Sequence, residues 1–245
     1  RLGIEVGTLT PADRDVEGVV EMMLDAVQQA ERPLTEDRLF AWHGALFPTG
    51  RSGLHQIRVG GWRDDALGPM RVVSGPIGRE RVHYEAPVAA RLGEEIARFL
   101  DWFNDRSSMD LVMKAALAHL WFVTIHPFDD GNGRIARAIA DMTLARSDGC
   151  PQRFYSMSAQ IRVERNDYYR ILERTQKGDL DVTPWVAWFL ACLGRAIEGS
   201  LLGDARRRAL QRPPAQGAQP SPRRLRGQAH LLEVGEPRQM LAGHR

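Results

Sequence analysis

The chain of 245 residues is 43% hydrophobic and shows no apolar run of membrane-span length, so it reads as one large or two small globular domains with no membrane partner. Its net charge of +2 hides an asymmetry: residues 204–245 carry nine arginines against Asp204, Glu233 and Glu236, and the rest has 24 basic and 28 acidic residues. That excludes nucleic-acid binding by charge for all but the tail, and the two cysteines, Cys150 and Cys192, with no signal-like segment at the start, point to a reducing cytoplasm.

Residues 1–12 read as irregular. Asp13 or Asp15 caps a helix to about Ala30, in which Val16, Val19, Val20, Met23, Leu24 and Val27 are expected to pack. Thr35 starts a second helix, Leu39 to Phe47, stopped by Pro48 and Gly50. Residues 51–87 change to Gly, Pro and short β-type runs, Gln56 to Val59, Met70 to Ser74 and Val82 to Tyr84, which predict hairpins. A helix from Pro87 to Phe103 follows, then one from Asp110 to Ile125. The latter is apolar nearly all round and therefore buried and central. His119 within it reads as a packed, hydrogen-bonded histidine.

The stretch His126-Pro127-Phe128-Asp129-Asp130-Gly131-Asn132-Gly133-Arg134-Ile135-Ala136-Arg137 separates that helix from the next, Arg134 to Arg146, which Asp148-Gly149 ends. Pro127 limits the first helix. Gly131, Asn132 and Gly133 tolerate left-handed backbone and turn successive N–H groups into one concavity at a helix N-terminus, where anions bind. Arg134 and Arg137 share a face and suit phosphate. Asp130 is a hard oxygen ligand of the kind Mg²⁺ uses beside phosphates, and His126 titrates near neutrality. Phe128 points into the core as an anchor. Together these make a nucleotide-phosphate cradle with a metal ligand and a general base.

Beyond the second helix of this pair, a helix is expected near Arg165 to Thr175. Another starts at Thr183, an N-cap followed by Pro184, and packs through Trp185, Val186, Trp188, Phe189 and Leu193. From Asp204 the pattern collapses: Arg206-Arg207-Arg208 and Pro213-Pro214 have neither period nor core, so 204–245 reads as a disordered tail.

His-Pro-Phe-x-Asp/Glu-Gly-Asn-Gly-Arg-x-x-Arg is the signature of Fic-domain proteins, and residues 126–137 match every fixed position. The resemblance extends over most of residues 14–200. It implies a mainly α fold, effectively all-α: a Fic-type helical bundle with a small β-hairpin flap. The domains would be 1–50, an N-terminal helical segment, and 51–203, the Fic domain, with its flap at about 70–87 and its core at about 88–203.

The implied activity is that of a protein adenylyltransferase, which moves AMP from ATP to a Ser, Thr or Tyr hydroxyl of a target protein. His126 would be the base and Asp130 the Mg²⁺ ligand. Gly131, Asn132, Gly133, Arg134, Ile135, Ala136 and Arg137 would hold phosphate, with the Asn132 amide adding to the cradle. Glu17-Gly18 resembles the end of the family's inhibitory motif, Asp13 standing where Ser or Thr is usual. Glu17 would then pair with Arg137 and exclude the γ-phosphate, and Gly18 would let its helix lie close to the loop. Arg81, Val82, His83 and Tyr84 occupy the flap, which clamps an extended target by main-chain pairing. Tyr168, Tyr169 and Gln176 are the counterparts of residues beside adenine and ribose.

The chain is also compatible with two other readings: an ATP-binding regulatory module with little transfer activity, and a nucleic-acid-associated regulator acting through its basic tail. A homo-oligomer is compatible with each. Neither the target protein nor the oligomeric state follows from the sequence.

Overall fold

The helix that is apolar on every face, α4 (Leu111–Ile125), is covered on every side. In this computed structural model, residues 11–76, 78–106, 109–149 and 154–211 are described. The chain divides into a unit of residues 1–205 and one of 206–245. In the second unit, residues 206–211 are helical.

α4 packs most extensively on α5 (Asn132–Asp148). Alanines line both buried surfaces, Ala115, Ala116 and Ala118 on one and Ala136, Ala138, Ala140 and Ala145 on the other, so the axes can come close. α5 begins two residues before the expected Arg134. Gly131, left-handed at φ 85°, turns the chain directly into the helix.

α3 (Leu92–Asn104) covers α4 with Ile96, Phe99 and Phe103. It starts later than the expected Pro87. Val88 is extended, Asp65 Oδ2 accepts the Ala89 N–H, and one 3₁₀ turn at Ala89–Arg91 comes first. Phe99, Phe103, Phe122, Phe128, Trp185 and Phe189 are wholly buried. Each such phenylalanine contributes about 1.5–3 kcal/mol of transfer free energy.

α1 (Pro11–Gln28) lies on α2 (Glu36–Leu46) and α5. Met22 and Ala26 are its buried residues and Val19, Met23 and Val27 pack beside them, whereas Val16, Val20 and Leu24, expected in the core, are exposed. Those three stand four apart and so share the opposite face. Asp25 Oδ2 holds α1 to α2 by accepting from Arg38 Nε at 2.8 Å and Trp42 Nε1 at 2.7 Å. Thr35 caps α2, as the sequence predicts.

Between α2 and α3 lie two hairpins, β1 (Arg51–Ser52) with β2 (His55–Gln56), and β3 (Arg71–Ser74) with β4 (Arg81–Glu85). The strand expected over Gln56 to Val59 ends at Gln56. The Ile57 N–H turns back to Gly50 O and the Arg58 N–H goes to Asp129 Oδ2. In the larger hairpin Val72 faces Tyr84 and Val73 faces Val82, which leaves His83 as the extra residue of a β-bulge.

α6 (Met157–Val163) is a seven-residue helix the sequence did not announce, capped by Ser156 Oγ. α7 (Arg165–Lys177) and α8 (Thr183–Gln211) complete the fold. α8 runs past Asp204, where the tail was expected to begin; residues 212–245 and Cys150 lie outside the described residues. Contrary to the sequence reading, Thr183–Leu202 is long and apolar enough by length and composition to cross a membrane. One face of it buries Trp185, Phe189, Cys192 and Leu193 against the bundle, where Trp185 Nε1 donates to Ala116 O at 2.8 Å, while Leu190, Ile197, Leu201 and Leu202 are exposed.

Candidate active site

α4 ends at His126, left-handed at φ 51° and ψ 57° and the only such non-glycine among the described residues. That geometry brings the ring back over the helix end. Nδ1 lies 3.2 Å from Val123 O. A carbonyl oxygen only accepts, so Nδ1 carries the proton and Nε2 keeps a free lone pair. Burial lowers the His126 pKa below 6.5. The Val123 bond and Asp130 oppose that shift, and Arg63 adds to it. The imidazole is therefore neutral at pH 7, with its basic nitrogen unengaged by this bond.

The carbonyls at this turn are held by side chains from three other parts of the chain. Arg63, 2% exposed, donates Nε to His126 O at 2.8 Å and its main-chain N to Pro127 O at 2.9 Å. It also reaches Pro87 O and pairs with Asp65. Tyr84 OH donates to Thr124 O at 2.8 Å, and burial raises its pKa to about 12. Gln176 Nε2 donates to Thr124 Oγ1 at 3.2 Å and to Val123 O at 3.4 Å. Gln176 thus braces the helix end that carries His126, and this amide is occupied there instead of at a nucleotide base.

The loop after His126 is bolted to the core. Phe128 is wholly buried and stacks on His43, with centroids 4.1 Å apart and planes 12° apart. His43 Nε2 faces Asp130 O at 3.2 Å and so donates to it; burial lowers the His43 pKa and keeps the ring neutral. The Asn132 side chain spans the loop, accepting from Phe128 N at 3.0 Å and donating to Phe128 O at 2.8 Å. Contrary to expectation, that amide is spent inside the loop and leaves the cradle only the Asn132 main-chain N–H.

Ile135 and Ala136 are also corrected: both side chains are in the core, and the Ile135 N–H returns to Gly131 O. The Gly131 N–H is taken by Asp130 Oδ1. The Arg134 N–H also returns to Gly131 O, so what remains for an anion is the Asn132 and Gly133 N–H groups at the start of α5, together with its two arginines. A Cβ on Gly131 would stand 2.9 Å from the Phe47 ring, so its φ and its surroundings both demand glycine.

Arg134 lies over the Phe47 ring at 4.6 Å from the centroid and 3.7 Å from Asp130 Oδ2. Ser52 Oγ donates to the same Oδ2. Each carboxylate oxygen has two lone pairs, so Asp130, with 47% of its side chain exposed, retains acceptor capacity for a hard cation. Asp129 faces away, onto the Arg58 N–H. No cluster of three metal-ligating side chains occurs among the described residues.

Arg134 and Arg137 border a groove of about 460 Å³ with Val19, Met22 and Met23 of α1 and Tyr168 and Tyr169 of α7. Tyr168 is buried, its hydroxyl 2.9 Å from His119 Nε2, so His119 is the packed histidine expected. Tyr169 is half exposed under Arg165. Glu17 is exposed on α1, and among the described residues neither it nor Arg137 has an ion-pair partner. The close approach at Gly18 is to α2, not to the loop: a Cβ there would meet Ala45 O at 1.8 Å.

In the hairpin β3–β4, Arg81 and His83 both bind Glu173 of α7, at 2.8 and 2.7 Å, and Lys177 Nζ reaches Val82 O. The flap residues are therefore fixed to α7 and, through Tyr84, to α4.

The family model described as Fic/DOC family matches residues 33–144, which include the whole loop. Over these residues the chain is similar to the Fic/DOC family. The relatives agree. The chain is 39% identical over 89 residues to the protein adenylyltransferase fic-1 of Caenorhabditis briggsae, covering 36% of this chain and 16% of that protein. It is 33% identical over 118 residues to the protein adenylyltransferase Fic of Nematostella vectensis, covering 47% and 26%. Among solved structures, a Fic family protein from Desulfovibrio desulfuricans G20 superposes with a TM-score of 0.61 at 26% identity, over 80% of this chain and 55% of that one. The chain thus spans 16% and 26% of these two curated relatives' length. Arg63, His43 and Ser52, which hold the Fic loop, were missed in the sequence; a buried arginine in a Gly- and Trp-containing loop gives no periodic signal.

Proposed function

We propose that the chain is a cytoplasmic protein adenylyltransferase that transfers AMP from ATP to a Ser, Thr or Tyr hydroxyl of a target protein. One observation carries the reading: a neutral imidazole with its basic nitrogen free stands one short loop before an anion-binding helix N-terminus. His126 Nε2 accepts the proton of the attacking hydroxyl, which needs about 3 Å of reach. The N–H groups at Asn132 and Gly133 stabilise charge developing on the α-phosphate. Arg134 and Arg137 bind the outer phosphates, Arg134 swinging from Asp130 to do so.

Asp130, steadied by Ser52, would hold Mg²⁺, which when bound neutralises the leaving pyrophosphate. The adenosine end occupies the groove beside Tyr169. The hairpin presents the target segment through its open strand edge.

Autoinhibition by Glu17 belongs to the same proposal. α1 lines the groove next to Arg137, so a turn of that helix toward the bundle brings a carboxylate to an arginine that cannot shed its charge. The test uses ATP labelled at either the α- or the γ-phosphate, incubated with the protein and a cell lysate. Label retained from the α-position alone supports adenylylation. Retention from the γ-position overturns it in favour of phosphorylation, and retention from neither leaves the regulatory-module reading.

A further inference from the structure

α8 is apolar on two opposite faces, and the bundle covers only one. Trp185, Phe189, Cys192 and Ala196 are buried on the inner face. The outer face carries Ala187, Leu190, Ala191, Gly194, Ile197 and Leu201, all of them exposed except the half-buried Gly194. Ala187, Leu190, Gly194, Ile197 and Leu201 follow one another at alternating intervals of three and four residues, which is the spacing of a helix-pairing seam. The seam is about 21 Å long at the rise of an α-helix. A single exposed leucine needs no explanation, but an unbroken apolar stripe does.

Gly194 is a second and independent observation. Glycine weakens a helix interior relative to alanine, because it loses more backbone freedom on folding. Nothing within the chain asks for it at this position. Its backbone is not left-handed, and a Cβ there would meet nothing within 4 Å. Gly18 and Gly131 differ in this respect, since a Cβ at either would collide with α2 or with Phe47. The missing side chain at the middle of the seam leaves room for a neighbour that approaches from outside, and the distance between packed helices is set by the side chains at their contact.

The seam is complementary to itself. Two α8 helices can pair antiparallel about a two-fold axis midway between Arg195 and Glu198. Each Gly194 then lies between Ile197 and Leu201 of the other copy, so the smallest residue of one seam receives the largest of the other. The same axis sets Arg195 of each copy opposite Glu198 of the other, on one edge of the seam and with opposite sign. Arg195 binds Glu164 through Nε and one terminal nitrogen, which leaves donors on the other. A lipid bilayer lacks this match. The Trp185 and Phe189 face is committed to the bundle, and Arg195 and Glu198 run along the border of the exposed stripe.

We propose that the outer face of α8, centred on Gly194, is a docking surface for a second copy of this chain, paired antiparallel through Leu190, Gly194, Ile197 and Leu201. The interface is isologous, and it does not depend on the adenylyl-transfer reading.

The test is the mass of the full chain in solution by sedimentation, measured over a range of concentrations. The expected result is a shift from one chain to two as concentration rises. Gly194→Leu fills the gap that the partner's seam enters and points into open space in the single chain, so it should abolish the shift without lowering the melting temperature of the monomer. Ile197→Glu should abolish it as well, by placing a carboxylate in the seam. Glu198→Arg sets arginine against Arg195 and should weaken association at least about tenfold. A wild-type mass of one chain up to about 1 mM, the limit of weak specific association, overturns the proposal. A dimer that survives both Gly194→Leu and Ile197→Glu overturns the choice of surface, and an unchanged dissociation constant in Glu198→Arg overturns the antiparallel arrangement. Flotation of the monomer with phosphatidylcholine and phosphatidylglycerol vesicles, lost in Ile197→Glu, overturns the second copy in favour of a membrane.

Discussion

Arg63 Nε donates to the main-chain oxygen of His126 at 2.8 Å, and the same guanidinium reaches Pro87 O where the hairpin leads into α3. One buried cation therefore ties the turn that carries His126 to the segment that leads from the hairpin into α3. Arg63→Gln should lower kcat about 100-fold, the cost of displacing a reacting group by an ångström, with the KM for ATP nearly unchanged. Arg63→Lys should recover only part, because one ammonium cannot reproduce the planar fork. Equal loss of ATP affinity and turnover would instead mark Arg63 as general scaffolding.

His126→Ala should remove transfer by roughly 10²–10⁴-fold and leave ATP binding intact, since the cradle is backbone and arginine. The wild-type rate should stay flat as pH falls to 6.5 and drop only at lower pH, because burial lowers the His126 pKa from its ordinary value and the base works unprotonated. Rates and nucleotide affinity measured on one preparation decide this; a base with a pKa above 7 would be incompatible.

Asp130→Ala should abolish most of the Mg²⁺ response. Ser52→Ala, which removes only the hydroxyl steadying Asp130, should raise the Mg²⁺ concentration for half-maximal rate about tenfold. A magnesium titration unaltered in both variants would put the metal elsewhere.

If Glu17 reaches Arg137 as proposed, Glu17→Gly should raise transfer, and the gain should vanish in the double variant Glu17→Gly with Arg137→Ala, because Arg137 is then the group that Glu17 and the γ-phosphate compete for. Such non-additivity identifies two residues acting on one another. A rate unmoved by Glu17→Gly would leave Glu17 as the surface residue of α1.

Acid should unfold the domain through His119. Burial holds its pKa at about 3, while in the unfolded chain it is about 6.5. The unfolded state therefore binds the proton first, and stability is lost as pH falls from about 6.5 toward 3, by about 1.4 kcal/mol per pH unit from this group. Denaturant midpoints measured between pH 7 and 4 should follow that slope, and it should flatten in His119→Gln.

The loop was legible because its information is local: twelve consecutive residues set the end of α4 at His126 and the start of α5 after Gly131. What supports the loop was not, because Arg63, His43, Ser52 and Gln176 reach it from tens of residues away through single hydrogen bonds. Gln176 misled by family position, its amide being engaged by Val123 and Thr124. α1 misled by period. Val16, Val20 and Leu24 are as apolar as Val19, Met22 and Met23, and only the location of α2 and α5 decides which side turns inward. α6 was too short to show a period at all.

The contact between Gly18 and Ala45 O joins backbone to backbone, with no side chain between them to yield. The seat of α1 is consequently graded by the size of residue 18 alone. Substituting alanine, then valine, then leucine would act as a graded wedge. Each step would prise α1 further from α2, and with it the wall of the groove, while Glu17, Arg137 and the loop stay chemically untouched. A domain built this way offers a steric dial for its own activity.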